Sequence, residues 1–251
     1  MITDPWFYAV AIPAVLLMGL SKSGFGSGFG ALAAPMMALA IPVPQAAAIL
    51  LPLLAIMDAL GLMALLRQAD WKLLRLLLPA GITGSMIGFA SFGLFSAPTV
   101  AGIVGVVTLL FLAVRLFFPP RSDAPPPGRG WGFFLGATSG YTSFVAHAGG
   151  PPVAFYVLPM KLEPIRYSAT MAVLFAAINL SKWVPYGMLG LLDMCNLATS
   201  AVLAPLAPLG VWAGIRMARR IQAQLFYRLV YLGMFLTGLK LVWDAWRAHA
   251  G

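Results

Sequence analysis

Apolar runs about as long as a bilayer is thick recur along the whole sequence. About 20 residues of α-helix cross roughly 30 Å of hydrocarbon. Runs of at least this length, which leave no stretch for a soluble domain, cover residues 6–41, 46–66, 73–92, 97–118, 131–159, 167–187, 196–217 and 225–246. The pattern therefore predicts an all-α integral membrane protein.

Two of these runs are too long for one straight span. Residues 6–41 are interrupted near the middle by SKSGFGSGFG, and residues 131–159 are interrupted by TSGYTSFVAHAGG. Irregular backbone is tolerated at membrane depth only where protein or a water-filled cavity surrounds it. We therefore predict that each run is a broken or re-entrant helical hairpin, and that three transmembrane helices follow each hairpin.

Glycine, proline and aspartate positions predict an internal repeat. An ordered series in the first half reappears in the second half at a slowly increasing spacing: Gly19, Pro35, Pro42, Asp70, Pro79, Gly84 and Gly88 are matched by Gly136, Pro152, Pro159, Asp193, Pro205, Gly210 and Gly214. The predicted division is a first membrane repeat at 1–118, a cytoplasmic linker at 119–130 and a second membrane repeat at 131–251.

Charge predicts how the two repeats are oriented. Three crossings are an odd number, so we expect the second repeat to be inverted relative to the first. This topology puts most of the 16 Lys and Arg residues on one side of the membrane, which the positive-inside rule identifies as the cytoplasm. Both termini are then periplasmic. Eight simple spans would put the basic cluster at 216–228 opposite the one at 67–75, against that rule.

Composition agrees with a membrane protein and argues against several functions. Charged residues make up 9% of the chain, against about 25% of a soluble domain. Cytoplasmic loops explain the net charge of +9 without a nucleic-acid partner. Cys195 is the single cysteine, and the chain has two histidines. We therefore expect no disulfide, no metal site, no cofactor and no enzymatic nucleophile–base pair.

The first interruption has the residues of an anion cradle. Lys22 is a charge inside an apolar run, and an intramembrane lysine is usually functional or paired. The neighbours that we predict to bind substrate with it are Ser21, Ser23, Gly24, Gly26 and Gly28. GFGSGFG lacks the preceding strand and the Gly-Lys-Ser/Thr of a nucleotide-binding loop. Close packing of small residues between helices is the structural alternative.

Prolines near the end of each interruption predict two short helices. Pro35 in the first repeat and the Pro151–Pro152 pair in the second can each begin a helix, because proline is favoured at the first helical position. The helix N-termini would then point into the protein centre. Free backbone amides and the positive end of the helix dipole favour an anion there.

The second interruption supplies polar groups that could complete an oxyanion shell. The predicted substrate-binding residues of this segment are Ser139, Tyr141, Thr142, Ser143, His147 and Gly149. A lone histidine can equally be a structural hydrogen-bonding residue. His147 nevertheless stands at the position equivalent to Gly30 of the first repeat, which favours a role in the site.

Polar residues in two later helices complete the set of candidates. Asp58 lies in LLPLLAIMDALGLMALL with no basic neighbour in sequence. It is a proton-coupling candidate, a partner of Lys22 in an ion pair, or a neutral buried acid. Asn179, in the matching part of the second repeat, could bond across helices or bind substrate. Lys182 is expected to extend to the outer end of its span, because long basic side chains reach for water.

The two patterned stretches resemble those of the TauE/SafE family of sulfite exporters. They read GLSKSGFGSGFGALAAPMMALAIPVPQAAAILLP and GATSGYTSFVAHAGGPPVAFYVLPMKLEPIRYSATMAV, and the resemblance covers essentially the whole chain. It implies a transporter of the bacterial inner membrane that exports sulfite or a small organosulfonate. Inverted repeats with broken helices are typical of transporters, and we expect the binding site at the midplane, between the two broken helices. The second break departs from the family's commoner glycine-rich form.

Two other functions remain open at this point, a passive anion channel and a non-transporting membrane scaffold. The expected partners are a small anionic substrate and the lipid bilayer. The glycine pairs Gly84/Gly88 and Gly210/Gly214 could pack helices within one chain or between two chains of a homodimer.

Overall fold

The protein consists of eleven α-helices in the part of the chain that the structure describes. This computed structural model describes residues 1–22, 30–37, 39–92, 94, 96–117, 128–147 and 149–250. The helices are α1 (Pro5–Leu20), α2 (Ala33–Met37), α3 (Val43–Leu65), α4 (Trp71–Ala90), α5 (Ala97–Phe117), α6 (Arg129–Ala146), α7 (Gly150–Val157), α8 (Pro164–Met188), α9 (Met194–Leu203), α10 (Leu206–Arg220) and α11 (Ala223–Ala250). The predicted all-α class is confirmed, with 86% helix and no strands in this part of the chain.

The outer surface is apolar, as a lipid-facing surface must be. Large side chains such as Met63 (86% exposed), Val184 (72%) and Leu110 (60%) point away from the protein. Within the described residues, three helical segments are long and apolar enough to cross a membrane, at Gln45–Gln68, Trp71–Ala90 and Gln224–Ala248. This count is smaller than the six crossings that the sequence predicts, so the full set of spans remains a prediction.

The two halves contain the same succession of elements. Each half has a broken pair of helices (α1 and α2, or α6 and α7), then a long helix (α3 or α8), then the segment at 71–90 or 194–220, and then a last long helix (α5 or α11). Equivalent elements make equivalent contacts, because α4 packs on α6 as α10 packs on α1, α3 packs on α8, and α5 packs on α11. The inverted orientation itself stays a prediction.

One predicted span is wrong as a single helix. The apolar run at 196–217 is divided into α9 and α10, which are bent by 50° relative to each other. The break falls at Ala204–Pro205, where proline provides no N–H for the helical ladder. Pro79 matches Pro205 in the repeat, yet α4 is continuous through it.

Glycines allow the halves to pack backbone against backbone. A Cβ added to Gly84 would lie 1.8 Å from the Ala137 carbonyl oxygen, and one added to Gly210 would lie 2.9 Å from that of Leu16. Both glycines therefore serve packing between helices of one chain. They give no support to the alternative of a homodimer packed through these positions.

Candidate functional site

The second break brings the ends of two helices together. α6 ends at Ala146, and His147 follows with a left-handed backbone (φ 50°). Its N–H donates to the Ser143 carbonyl over 3.2 Å. α7 begins at Gly150 with Pro151 and Pro152 in its first turn, so the short helix predicted at this proline pair is confirmed.

The first break is described only in part. α1 ends at Leu20, and Ser23, Gly24, Gly26 and Gly28 lie outside the described residues. The expectation that Pro35 begins the short helix is wrong, because α2 begins two residues earlier at Ala33, after a 3₁₀ turn at Gly30–Leu32.

A serine ties the two arms together in each break. The Ser21 hydroxyl accepts a hydrogen bond from the Gly30 N–H over 2.8 Å. In the second half, the Ser139 hydroxyl donates to the Gly149 carbonyl over 2.6 Å. Both serines are fully buried. These two predicted substrate-binding residues therefore hold the breaks in shape, and neither lines the cavity described next.

A cavity of about 60 Å³ lies where the two breaks meet. One water needs roughly 10–15 Å³ by the same measure, so the cavity has room for a small ion of several heavy atoms. The residues that line it come from both halves: Met18, Lys22, Gly30 and Leu54 from the first, and Ser143, His147, Gly149, Gly150, Phe175 and Asn179 from the second.

Lys22 forms an ion pair with Asp58 at the cavity. The Lys22 Nζ lies 2.6 Å from Asp58 Oδ1, and both side chains are buried. The Asn179 amide donates to the other carboxylate oxygen, Oδ2, over 2.9 Å. The ion pair that the sequence left open for Asp58 is therefore present. Its role as a proton carrier stays a prediction.

Lys182 is enclosed by the protein, and the expectation that it extends to the membrane surface is wrong. Its side chain has 0% exposure. The ammonium donates to the Ser143 carbonyl (2.7 Å), the Ser143 hydroxyl (2.8 Å) and the Asn179 amide oxygen (3.2 Å). Lysine has three N–H donors, and three acceptors hold them. The side chain stays inside because these acceptors replace the water it would otherwise reach.

These side chains form one network of two lysines, one carboxylate and one amide. Asn179 joins the two lysines, since it donates to Asp58 and accepts from Lys182. With both lysines protonated and His147 neutral, two ammonium groups and one carboxylate would give a net charge of one positive unit. A buried charge without a counter-charge is costly. A small anion in the cavity would supply the missing negative charge.

The remaining candidates of the second break contribute differently. The Thr142 hydroxyl donates to the carbonyls of Thr138 and Ser139, and Tyr141 is half-buried; neither residue lines the cavity. His147 does line it. Of the predicted oxyanion shell, the structure thus brings Ser143, His147 and Gly149 to the cavity.

The Tyr186 hydroxyl contacts the His147 ring. It lies 3.4 Å from His147 Nε2 and donates to the Phe144 carbonyl over 3.0 Å. The contact fixes the position of the imidazole ring at the cavity wall.

The N-terminus of α7 offers fewer amides than expected. A helix begins with four N–H groups that have no partner within the helix. At α7 these positions are Gly149, Gly150, Pro151 and Pro152, and proline has no N–H. Only the two glycines can donate, and both line the cavity.

Sequence reasoning missed five residues that line the cavity, and a simple spacing could have found three of them. Met18, Leu54 and Phe175 each precede by four residues a polar side chain of the network, namely Lys22, Asp58 and Asn179. Residues four apart lie on one face of a helix. Of the other two, Gly150 follows Gly149 directly, and Gly30 is the repeat equivalent of His147.

Comparison with known proteins identifies the family. The family model described as "Sulfite exporter TauE/SafE" matches residues 11–241. A search of curated proteins found no match, and neither did a search of solved structures. The match covers almost the whole chain and includes both breaks and the cavity between them. The chain therefore belongs to the TauE/SafE sulfite exporter family of membrane transporters.

Proposed function

We propose that this protein is a secondary transporter that exports a small sulfur-containing anion, sulfite or an organosulfonate, across the bacterial inner membrane. Family membership supports the class of transporter and substrate. The observation that carries the proposal is the cavity between the two breaks, which is lined by Lys22 and by the two residues, Ser143 and Asn179, that bind the buried Lys182. With both lysines protonated, two ammonium groups outnumber the one carboxylate among the described residues of this network, which favours an anion over a cation or a neutral solute.

Export of an anion agrees with the membrane potential. The interior of a cell is negative, so outward movement of one negative charge is favoured by about 2.3 kcal/mol per 100 mV. Import of the same anion would need a coupled ion. The export direction therefore requires no second ion for a singly charged substrate.

The proposed transport mechanism is alternating access between two inverted repeats. Transporters of this kind bind substrate near the bilayer midplane, at discontinuous helices where the repeats meet. Here the cavity has walls from both halves, which agrees with such a site. Rocking of one repeat against the other would expose it to each side in turn.

Orientation in the membrane is proposed from the charge pattern, with both termini periplasmic. Cys195 is exposed and lies in the first turn of α9, on the proposed periplasmic side. We expect a membrane-impermeant maleimide to label the native Cys195 in intact cells and to leave a Cys195→Ser, Arg67→Cys variant unlabelled until the cells are opened. The reverse pattern would contradict this orientation.

Efflux from proteoliposomes tests the proposed function. Vesicles preloaded with sulfite, sulfoacetate, sulfate or chloride would be compared for the wild type, Lys182→Met and Lys72→Met. Lys72 is an exposed lysine at the start of α4, so it is the matched control. We expect saturable efflux of a sulfur oxyanion that is slower in Lys182→Met, because the site loses one positive charge, and unchanged in Lys72→Met. Absence of flux for all four anions in the wild type would overturn the proposal.

A further inference from the structure

We propose that the site is matched to one negative charge: a monoanion binds without a proton, whereas a dianion binds only together with a proton on Asp58. This inference rests on the proposed function, because it takes the cavity as the anion site. It assigns to the protein a rule that couples substrate charge to proton movement.

The charges at the cavity set the rule. The buried ionisable side chains among the described residues that belong to this network are Lys22, Asp58 and Lys182, with His147 at the cavity wall. With His147 neutral, one added negative charge makes the site neutral. A dianion would leave a surplus negative charge in a buried space, which is costly. One added proton restores neutrality.

Asp58 is the group placed to take that proton. Among the described residues it is the only carboxylate of the network, and its Oδ1 faces Lys22 at 2.6 Å. When Oδ1 is protonated, Lys22 loses its carboxylate partner and can pair with the anion instead. Oδ2 can still accept from the Asn179 amide. The proton comes from water on the side to which the cavity opens and is released with the anion on the other side.

The charged and titratable side chains on the helices around Asp58 are compatible with a proton on its carboxylate. Lys22 faces Asp58 from the end of α1, Asn179 faces it from α8 with Lys182 behind, and His147 lies across the cavity at the end of α6. α10 also packs on α3.

α10 carries basic side chains, and the one with a described hydrogen bond to α3 contacts that helix far from Asp58. The Arg219 guanidinium donates to the Ala64 carbonyl, six residues or about 9 Å along the helix from Asp58. The Asp193 carboxylate, at the N-cap of α9, accepts a hydrogen bond from the backbone of its own helix. Neither group alters the charge balance at the cavity.

Calorimetric titration with two anions of different charge tests the rule. Methanesulfonate carries one negative charge and sulfate carries two throughout the range from about pH 5 to about pH 8. This range lies above the ordinary carboxylate pKa of about 4 and includes the ordinary imidazole pKa of about 6.5. Titrations in two buffers of different ionisation enthalpy count the protons taken up. We expect about one proton per sulfate and about none per methanesulfonate. Sulfate affinity should then fall roughly tenfold per pH unit as pH rises, while methanesulfonate affinity stays constant.

Variants that change the charge of the site make opposite predictions. Asp58→Asn leaves two positive charges, so sulfate should bind without proton uptake. Lys182→Met leaves a neutral site, so methanesulfonate should now bind with about one proton. Asp4→Asn is the matched control, because Asp4 is an exposed carboxylate that caps α1. It should keep the wild-type proton counts.

The outcomes separate this inference from the proposed function. Binding of neither anion to the wild type would contradict the proposed function itself. Binding of both anions with the same proton count would overturn the charge rule alone. A proton still taken up with sulfate by Asp58→Asn, and lost in His147→Asn, would assign the proton to the imidazole and overturn the role of Asp58. If Asp58→Asn does not fold, absence of proton uptake with methanesulfonate in Lys182→Met overturns the rule.

Discussion

Each half of the chain buries one lysine in the network beside the cavity, but the two halves surround it with different partners. Lys22 of the first half has a carboxylate 2.6 Å away. Lys182 of the second half has a carbonyl, a hydroxyl and an amide oxygen. An ammonium beside a carboxylate forms a neutral pair, whereas one held by neutral dipoles has no counter-charge. In the proposed site, the second half would therefore supply the positive charge, and the first half would supply the ion pair that protonation of Asp58 separates.

The largest effect that follows from this difference is on stability. Lys22→Met should lower the free energy of unfolding by about 3–5 kcal/mol, because it leaves a buried carboxylate without its counter-charge. Unfolding by SDS in mixed micelles measures the change. The double variant Lys22→Met, Asp58→Asn should recover most of the loss. An equal loss in the single and double variants would show that the ion pair does not explain the cost.

Lys182→Met should lower the free energy of unfolding less, by about 1.5–3 kcal/mol. The change removes hydrogen bonds from a charged donor to neutral acceptors and leaves no unpaired carboxylate. The same SDS titration, run beside Lys22→Met, gives the order of the two values. A loss larger than that of Lys22→Met would contradict the contrast between the two lysines.

The halves also differ in how closely matching helices pack. Gly84→Ala should destabilise the protein by about 1–3 kcal/mol and by more than Gly210→Ala, because the added Cβ would lie 1.8 Å from a backbone oxygen at Gly84 and 2.9 Å from one at Gly210. Gly187→Ala is the control, since a Cβ added at Gly187 would have no packing neighbour within 4 Å. Thermal unfolding of the three variants in detergent tests the order, and equal losses at Gly84 and Gly187 would contradict it.

The smallest effect is expected for an ion pair between the halves that water can reach. Arg166 donates to Asp70 over 2.9 Å, and its side chain is 52% exposed. Arg166→Gln should therefore change the free energy of unfolding by less than about 1 kcal/mol. A double-mutant cycle with Asp70→Asn isolates the coupling. A coupling free energy as large as that between Lys22 and Asp58 would contradict the expectation that a buried ion pair contributes more to stability than an exposed one.

The elements were predictable because lipid imposes the length of each apolar run. The run at 73–92 corresponds to α4 at 71–90, and the run at 97–118 corresponds to α5 at 97–117. The bend at Pro205 was not predictable in this way. Its repeat partner Pro79 lies in a continuous helix, so proline alone does not decide whether a helix breaks.

The site was predictable in its composition more than in its connections. Lys22, Asp58 and Asn179 were identified because polar groups are rare in apolar runs. The position of Lys182 was not, because a sequence gives the distance of a residue from the end of its own helix and not the acceptors that another helix brings to it. Ser143, on α6, provides two of those acceptors.

The proline pair at the start of α7 has a consequence for selectivity. An anion in the cavity meets two amide donors there, where an ordinary helix start would offer four. Directional hydrogen bonds distinguish anions by the arrangement of their oxygens, whereas buried charge acts at longer range and with little regard to shape. A site built in this way would sort anions by valence and by the cost of removing their hydration water. It would accept differently shaped anions of the same charge with similar affinity.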